Sequence, residues 1–184
     1  DNGLVSSVSR GGKTWTVAHS EVNGFPVASQ VAGPGGQAVA FSYDASTKPP
    51  RLQSVIEPGG RVTSYGYTGR NLTSVTQPGQ GTTKFAYTGN NLTEIELPGG
   101  QKYAYAYDTQ NRISSITDPL GNITSYAYPA AGTQVITDAL GRNTTVAYNS
   151  DGNITSISRG GQTWTYAYDN EIGRASCRER VCSV

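Results

Sequence analysis

The sequence predicts an all-β protein, an extended antiparallel sheet built from tandem β-hairpin repeats. The composition favours strands and turns, with 23 Gly and 12 Tyr and no Met among 184 residues. A pair of large residues also returns every 20 to 24 positions, always behind a turn-forming segment. Recurrence at a fixed period is typical of repeat architectures, in which each copy is one supersecondary unit.

The first strand of each copy carries two large residues that flank a small one, as in Phe85-Ala86-Tyr87. Large-small-large alternation has period two, which is typical of a strand with two unlike faces. We expect eight such strands, with the pairs Val17/His19, Phe41/Tyr43, Tyr65/Tyr67, Phe85/Tyr87, Tyr105/Tyr107, Tyr126/Tyr128, Val146/Tyr148 and Tyr166/Tyr168.

The second strand of each copy follows a segment rich in Gly, Asn and Asp, as in YTGRNLTSV and YTGNNLTEI. These residues tolerate positive φ and close tight turns, so each copy is predicted to be one hairpin. The returning strands contain the apolar pairs Leu72/Val75, Leu92/Ile95, Ile113/Ile116 and Ile154/Ile157. A second turn, such as EPGG, LPGG or DPLG, then leads into the next copy.

Successive hairpins are predicted to join edge to edge, because an isolated two-stranded hairpin is only marginally stable in water. Neighbouring copies then align Tyr beside Tyr and Leu beside Leu, and each close cross-strand pair contributes about 0.2–1 kcal/mol. The sequence does not decide which face points inward. We expect the aromatic face to pack inside and the Ser, Thr and Ala positions to meet solvent.

The motifs resemble the YD repeat of the RHS proteins, in which Tyr-Asp-x-x-Gly-Arg-Leu is followed by Asp-Pro-x-Gly. Tyr107-Asp108 leads to Ile113 and then to Asp118-Pro119-Leu120-Gly121, and Asp138 to Arg142 is another version. Tyr43-Asp44 and Tyr168-Asp169 repeat the dipeptide that names the motif. The resemblance covers residues 4–170. The predicted domain organisation is a repeat array over 1–170, with about eight hairpins and a partial copy at its N-terminal end.

The resemblance implies a function as well as a fold. RHS proteins include bacterial polymorphic toxins, insecticidal toxin complexes, wall-associated proteins and animal teneurins, and their repeats wind a spiralling sheet into a hollow shell. The implied role is a non-enzymatic wall segment that encapsulates and helps to deliver a C-terminal toxin, in a secreted or cell-surface bacterial protein. The implied partners are the rest of the shell, the enclosed toxin domain, and a secretion apparatus or a surface glycan. The family's end cap, with its autocleavage Asp, has no counterpart in this sequence, so self-processing is not assigned to any residue.

The last segment, 171–184, departs from the repeat and contains both cysteines, Cys177 and Cys182. Its residues can be back-translated into a string that resembles a sequencing adapter, so we interpret 171–184 as a non-native tail. The remaining residues have no cysteine and as many acidic as basic side chains. We therefore predict no disulfide framework, no thiol nucleophile and no nucleic-acid surface. No apolar run approaches the roughly 18 residues of a membrane helix.

Few residues suggest chemistry, so we predict no enzyme, no cofactor and no metal site. His19 takes a position where other copies have Tyr, and no Cys or acid cluster accompanies it. Asp118, Asp138 and Asp151 recur at predicted turns, where Asp bonds its own backbone. The segment 149–153, NSDGN, lacks the full ligand series of a calcium loop. Five Asn-x-Thr sequences begin at Asn71, Asn91, Asn122, Asn143 and Asn153, and we interpret them as turn and strand residues.

The best candidates for a binding role are Trp15 and Trp164, which share the phrase SRGG(K/Q)TWT. Exposed aromatic rows bind glycans by stacking, whereas buried ones form packed cross-strand ladders. We favour the packed ladder and keep a carbohydrate- or partner-binding surface module as the alternative function.

Overall fold

The structure, a computed structural model, describes residues 3–168 and 175–176 of the chain, and of 175–176 only the backbone. The predicted non-native tail, 171–184, otherwise lies outside the described residues. Within the described part there are eighteen strands and no helix. The strands are β1 (Ser7–Arg10), β2 (Lys13–Val22), β3 (Phe25–Ala32), β4 (Ala38–Asp44), β5 (Arg51–Ile56), β6 (Val62–Thr68), β7 (Asn71–Gln77), β8 (Gly81–Thr88), β9 (Asn91–Glu96), β10 (Lys102–Tyr107), β11 (Ile113–Thr117), β12 (Ile123–Ala130), β13 (Thr133–Thr137), β14 (Asn143–Tyr148), β15 (Ile154–Arg159), β16 (Gln162–Thr165), β17 (Ala167–Tyr168) and β18 (Ala175–Ser176).

The first sixteen strands form one sheet in which spatial order follows chain order, from β1 to β16. The strand pairs whose register is defined are antiparallel, as tight turns between consecutive strands require. The predicted fold class, an all-β antiparallel sheet of tandem hairpins, is therefore confirmed. β17 and β18 form a separate two-stranded sheet.

The chain divides into two compact units. The first comprises Asp1–Asn90 and Ile95–Gln101, and the second comprises Asn91–Glu94 and Lys102–Val184. In each unit the strands in extensive contact are consecutive ones. Each unit is therefore held together by contacts between neighbouring strands, as in solenoid repeats.

A β-bulge recurs at the same place in five of the hairpins. In the hairpin of β10 and β11, Ala106 pairs with Ser115 but Tyr107 pairs with Ile113, which leaves Ser114 without an opposite residue. The same shift precedes His19, Tyr43, Tyr67 and Tyr148. An extra residue in one strand returns the next side chain to the same face. Apolar residues three positions apart, such as Ile113 and Ile116, can therefore both face the large residues of β10.

Burial in the sheet is partial. Among the described residues, Val146 is the one apolar residue that is buried, with 6% of its surface exposed. In β10 the tyrosines are half-buried and the alanines between them are exposed. The large residues therefore shield one another along one face, in agreement with cross-strand ladders.

The eighth predicted strand differs from the others. Seven of the large pairs lie in β2, β4, β6, β8, β10, β12 and β14. β16 ends at Thr165, before Tyr166, and Tyr168 lies in the separate sheet with β18. The Tyr166 amide still donates to the Thr155 carbonyl at 2.9 Å, so the backbone stays beside β15 up to this residue. The expectation of eight equivalent strands was therefore wrong for the last copy.

Candidate functional site

The large residues form the feature that we call the aromatic face, which consists of the large pairs of the first strands and the apolar residues opposite them. Tyr105 lies opposite Ile116, and Tyr107 lies opposite Ile113. The other hairpins repeat this arrangement, with the pairs Phe41–Val55, Tyr43–Leu52, Tyr65–Val75, Tyr67–Leu72, Tyr126–Ile136, Val146–Ile157 and Tyr148–Ile154. Directly opposite side chains share a face and pack against each other.

The second tyrosine of several copies also bonds to the preceding hairpin. The hydroxyl groups of Tyr43, Tyr107 and Tyr128 donate to the carbonyl oxygens of Ala28, Leu92 and Ile113, at 2.8, 2.8 and 2.9 Å. Ala28 and Ile113 each come directly before a bulge residue. Neither of them pairs with a residue of the strand that follows. The tyrosine hydroxyl therefore satisfies a carbonyl that the ladder does not reach.

Two arginines connect consecutive copies in another way. The guanidinium of Arg112 stacks 4.1 Å from the ring centre of Tyr128, and that of Arg51 lies 5.1 Å from the ring centre of Tyr67. Arg112 also forms an ion pair with Asp108 at 2.7 Å. Such cation–π contacts contribute about 0.5–1 kcal/mol at exposed sites. The Asp of a Tyr-Asp motif therefore helps to position the arginine that covers the next tyrosine.

The aspartates at the turns have backbone roles. Oδ1 of Asp118 accepts the amides of Leu120 and Asn122 at 2.8 and 2.9 Å, and Asp138 and Asp108 accept equivalent amides. The predicted turn role of Asp118 and Asp138 is confirmed. At 149–153 it is Asn149, rather than Asp151, whose side chain accepts the two amides. The Asp151 expectation was therefore wrong about the acceptor, because the first residue of this turn takes that position.

These hydrogen bonds favour the charged carboxylates. The pKa of Asp118 lies below its ordinary value of 3.8 because the Asn122 side chain and backbone donate to it. The pKa values of Asp108 and Asp138 are lowered chiefly by the amides of Arg112 and Arg142. Burial raises the pKa of Tyr43, Tyr67 and Tyr105 above 10.0, so these phenols keep their protons at neutral pH.

The opposite face of the sheet is polar. Hydroxyl pairs bridge neighbouring strands at Ser42–Ser54, 2.7 Å, and at Thr76–Thr82, 2.8 Å. The first unit also has an ion pair between Lys84 and Glu96 at 3.0 Å, and the second has one between Lys102 and Glu94 at 2.8 Å. These groups interact favourably with water, whereas the aromatic face is apolar over most of its length.

The candidate residues Trp15 and Trp164 occupy equivalent places in two similar hairpins, one in each unit. Trp15 pairs with Val8 and Trp164 with Ile157, and both indoles are half-buried. Each hairpin has a Gly-Gly turn and a hydroxyl pair at 2.8 Å, namely Ser9–Thr14 and Ser158–Thr163. Trp15 also lines a groove of about 470 Å³ beside Gly33 and Pro34. Each tryptophan thus has a position in the ladder, and its glycan-binding role stays a prediction.

The remaining sequence candidates have structural positions. His19 is an exposed residue of β2 opposite Ala28. The Asn71 side chain donates to the Gly89 carbonyl at 2.9 Å, and that of Asn91 donates to the Asn111 side chain at 3.0 Å. Both asparagines therefore link neighbouring turns. Among the described residues, no group of three or more His, Cys, Asp or Glu side chains is placed to hold a metal ion.

Sequence reasoning missed a groove of about 560 Å³ in the second unit. Its walls include Arg112, Tyr128, Gln134 and Tyr148. The Gln134 amide donates to the Tyr128 hydroxyl at 3.3 Å, and the Tyr148 hydroxyl donates to the Gln134 oxygen at 3.3 Å. A signal was present, because Arg51 and Arg112 each precede their tyrosine by 16 positions. That constant spacing indicates a contact between consecutive copies.

Comparison with protein families decides the classification. The Teneurin YD-shell family matches residues 20–170, which is most of the chain. The chain belongs to the Teneurin YD-shell family. Membership makes this YD-shell chain a segment of a shell-forming structural array, and the predicted RHS/YD resemblance is confirmed. No helix in the described part of the chain is long and apolar enough to cross a membrane.

Solved structures share the fold of this YD-shell chain. The crystal structure of TcdB2-TccC3-TEV has a TM-score of 0.59 and 15% identity over 91% of this chain, and that of TcdB2-TccC3 has 0.59 and 16% over 88%. TcdB2-TccC3 without its hypervariable C-terminal region has a TM-score of 0.51 and 18% identity over 88%. The YD-shell chain spans 10% of each of these chains. The comparison with curated proteins finds no match.

Proposed function

We propose that the chain is a non-enzymatic wall segment of an RHS shell that encapsulates a C-terminal toxin and helps to deliver it. The observation that carries the proposal is the family match over 20–170, together with the unbroken order of sixteen strands. The likeness to TcdB2-TccC3 supports a toxin-related shell. A secreted or cell-surface location, and the rest of the shell and the enclosed toxin as partners, belong to the same proposal.

The two faces of the sheet support a wall role. One face has half-buried aromatic and aliphatic ladders, and the other has hydroxyl pairs and ion pairs. A right-handed strand twist makes a sheet that keeps adding hairpins coil, which provides an inside and an outside. We propose that the aromatic face points inward, because the polar face is the better one to hydrate.

Limited proteolysis of the full-length parent tests encapsulation. We expect the region C-terminal to the array to resist protease in the intact parent, and to be cleaved at least ten times faster when the segment equivalent to residues 38–148 is deleted in frame. A matched control deletes a segment of the same length outside the repeats. Equal cleavage rates in the intact and repeat-deleted proteins would contradict the wall proposal.

The alternative function, a carbohydrate- or partner-binding surface module, is favoured by the part of each tryptophan that stays accessible to solvent. A glycan array on the full chain tests it, with Trp15→Ala and Trp164→Ala as variants and Tyr105→Ala as the control. Saturable binding that is lost in the tryptophan variants and retained in the control would support this alternative. The absence of binding leaves the wall proposal as the better one.

A further inference from the structure

Two neighbouring turns on the same side of the second unit present leucines to solvent. Leu120 is 87% exposed and Leu140 is 76% exposed, and the nearby Ile123 is 51% exposed. In each turn the leucine amide donates to an aspartate, Asp118 at 2.8 Å or Asp138 at 3.0 Å. The backbone amide of the glycine that follows donates to the backbone carbonyl of the same aspartate, at 3.0 Å in the first turn and 2.9 Å in the second. The two leucines are therefore held by the same rigid backbone.

The turn itself does not require leucine. At the corresponding position of the turn 97–101 the residue is Gly99, and the same backbone bonds form there, with Leu97 to Gln101 at 2.8 Å and Gly100 to Leu97 at 2.9 Å. Nothing would contact a Cβ built at Gly99. The two leucines have no role in forming their turns, and with Ile123 they give one side of the second unit three exposed apolar side chains. We call this surface, formed by the turns 118–122 and 138–142, the leucine rim.

The charges of the leucine rim are unequal between its two turns. The Asp118 carboxylate is held by the neutral Asn122 side chain at 2.8 Å, and no ion pair of Asp118 is found within the described residues. Asp138 is shared by Arg142 at 2.7 Å and Arg159 at 3.8 Å. The first turn therefore has one surplus negative charge, whereas the second turn is neutral by itself and gains one surplus positive charge from Arg159 at the end of β15.

The exposed leucines and the unequal charges of the leucine rim are complementary to the leucine rim of a second copy of the chain. In a two-fold interface residue i of one copy meets residue j of the other, and j meets i. Antiparallel approach of two rims places each Leu120 turn against a Leu140 turn, with opposite surplus charges facing each other. Consecutive turns on one side of a sheet repeat every two strands, so the two contacts of such an interface would lie about 10 Å apart.

We propose that the leucine rim binds the leucine rim of a second copy of this chain about a two-fold axis. Two turns bury far less than the roughly 800 Å² per partner of a stable interface, so a single pair of rims binds weakly. Longer arrays add turns, and linked weak contacts raise the overall affinity. The inference depends on the turns alone and is independent of what a shell would enclose.

Disulfide trapping tests the geometry in the full chain with Cys177→Ser and Cys182→Ser. Isotope-labelled Leu120→Cys chains are mixed with unlabelled Leu140→Cys chains and oxidised, and the products are identified by mass spectrometry. We expect the 120–140 product to exceed either homodimer at least fivefold, against the twofold excess of random collision. The matched control is Ala131→Cys, an exposed turn residue at the other end of β12 and β13. A random product ratio, or equal cross-linking of the control, overturns the proposal.

Sedimentation velocity of the full chain gives a second measurement. Leu120→Gly/Leu140→Gly copies the residue of the 97–101 turn, and we expect it to raise the dimer dissociation constant at least tenfold. Asp118→Asn keeps the turn's acceptor, as Asn149 does in its own turn, and we expect it to raise the constant about threefold and to reduce its salt dependence. Association through strand edges would be unchanged in the double variant, and that result also overturns the proposal.

Discussion

The tyrosine hydroxyls give the second large residue of each copy a role that its ring alone does not have. Tyr128 uses its ring to receive Arg112 and its hydroxyl to reach the Ile113 carbonyl. This carbonyl lies beyond the paired part of β11 and β12, so the hydroxyl extends the bonding between neighbouring hairpins. Neither the sequence period nor the polarity pattern reports a bond from a side chain to the backbone, which is why only ring packing was predicted.

Tyr128→Phe isolates this hydroxyl. The substitution retains the ring under Arg112 but leaves the Ile113 carbonyl and the Gln134 amide without this partner. We expect the free energy of unfolding to fall by about 1 kcal/mol. Urea denaturation followed by circular dichroism measures the change. Tyr126→Phe is the control, and a loss as large as that of Tyr128→Phe would show that the effect is not specific to the bond.

The turn aspartates predict an acid-sensitive stability. Asp118 has a folded-state pKa below 3.8, so the unfolded chain binds protons first as the pH falls. The stabilisation from its charged form is present above about pH 4 and is lost as the pH falls through the lowered folded-state pKa. Asp118→Asn cannot titrate, so we expect the urea midpoints of variant and wild type to converge between pH 6 and pH 2.5. A constant gap over that range would contradict the assignment.

The bulge is the feature that organises five of the hairpins at the scale of elements. Leu72 and Val75 are three positions apart, and in a regular strand they would face opposite sides. The extra residue between them restores both to the aromatic face, opposite Tyr67 and Tyr65. The odd spacing of the apolar pairs was visible in the sequence, but alternation alone does not say where a strand departs from it.

Deletion of Ser114 tests the bulge. Without this residue, either Ile113 or Ile116 has to leave the aromatic face, because a one-residue slip reverses every side chain beyond it. We expect the free energy of unfolding to fall by about 1–2 kcal/mol, less than the loss of a fully buried isoleucine, because Ile113 and Ile116 are half-buried. Ser114→Ala keeps the backbone length and is the control, with an expected change below about 0.5 kcal/mol. A deletion no more harmful than this control would mean that the bulge does not set the register.

At the scale of the whole molecule, the sequence period was enough to predict the class and the strand order. Each turn-forming segment reverses the chain, so chain order becomes spatial order from β1 to β16. The period was insufficient at Tyr166 and Tyr168, because alternation alone does not fix where β16 ends or which strand Tyr168 pairs with. The sequence predicted the large pairs of the aromatic face but not the part played by Arg112, since its contacts with Asp108 and Tyr128 depend on turn geometry.

Contacts limited to consecutive strands predict that damage stays local. Val146 is the most buried apolar residue described, and it lies opposite Ile157 and Gln134. We expect Val146→Ala to lower local stability by about 1–3 kcal/mol. Hydrogen exchange should then accelerate in β13 to β15 and remain unchanged in β4 to β7, as nearest-neighbour stability requires. Uniform acceleration in all strands would indicate global cooperative unfolding instead.

The similarity of the two tryptophan hairpins has a consequence for how the gene can evolve. They share the phrase SRGG(K/Q)TWT and the same pairing, and Trp15 and Trp164 are 149 positions apart. Recombination between the two coding stretches would remove or duplicate seven hairpins and leave an intact hairpin at the junction. Such an array can therefore change its length in one evolutionary step. The strands on either side of the junction would keep their register, which most large insertions would disturb.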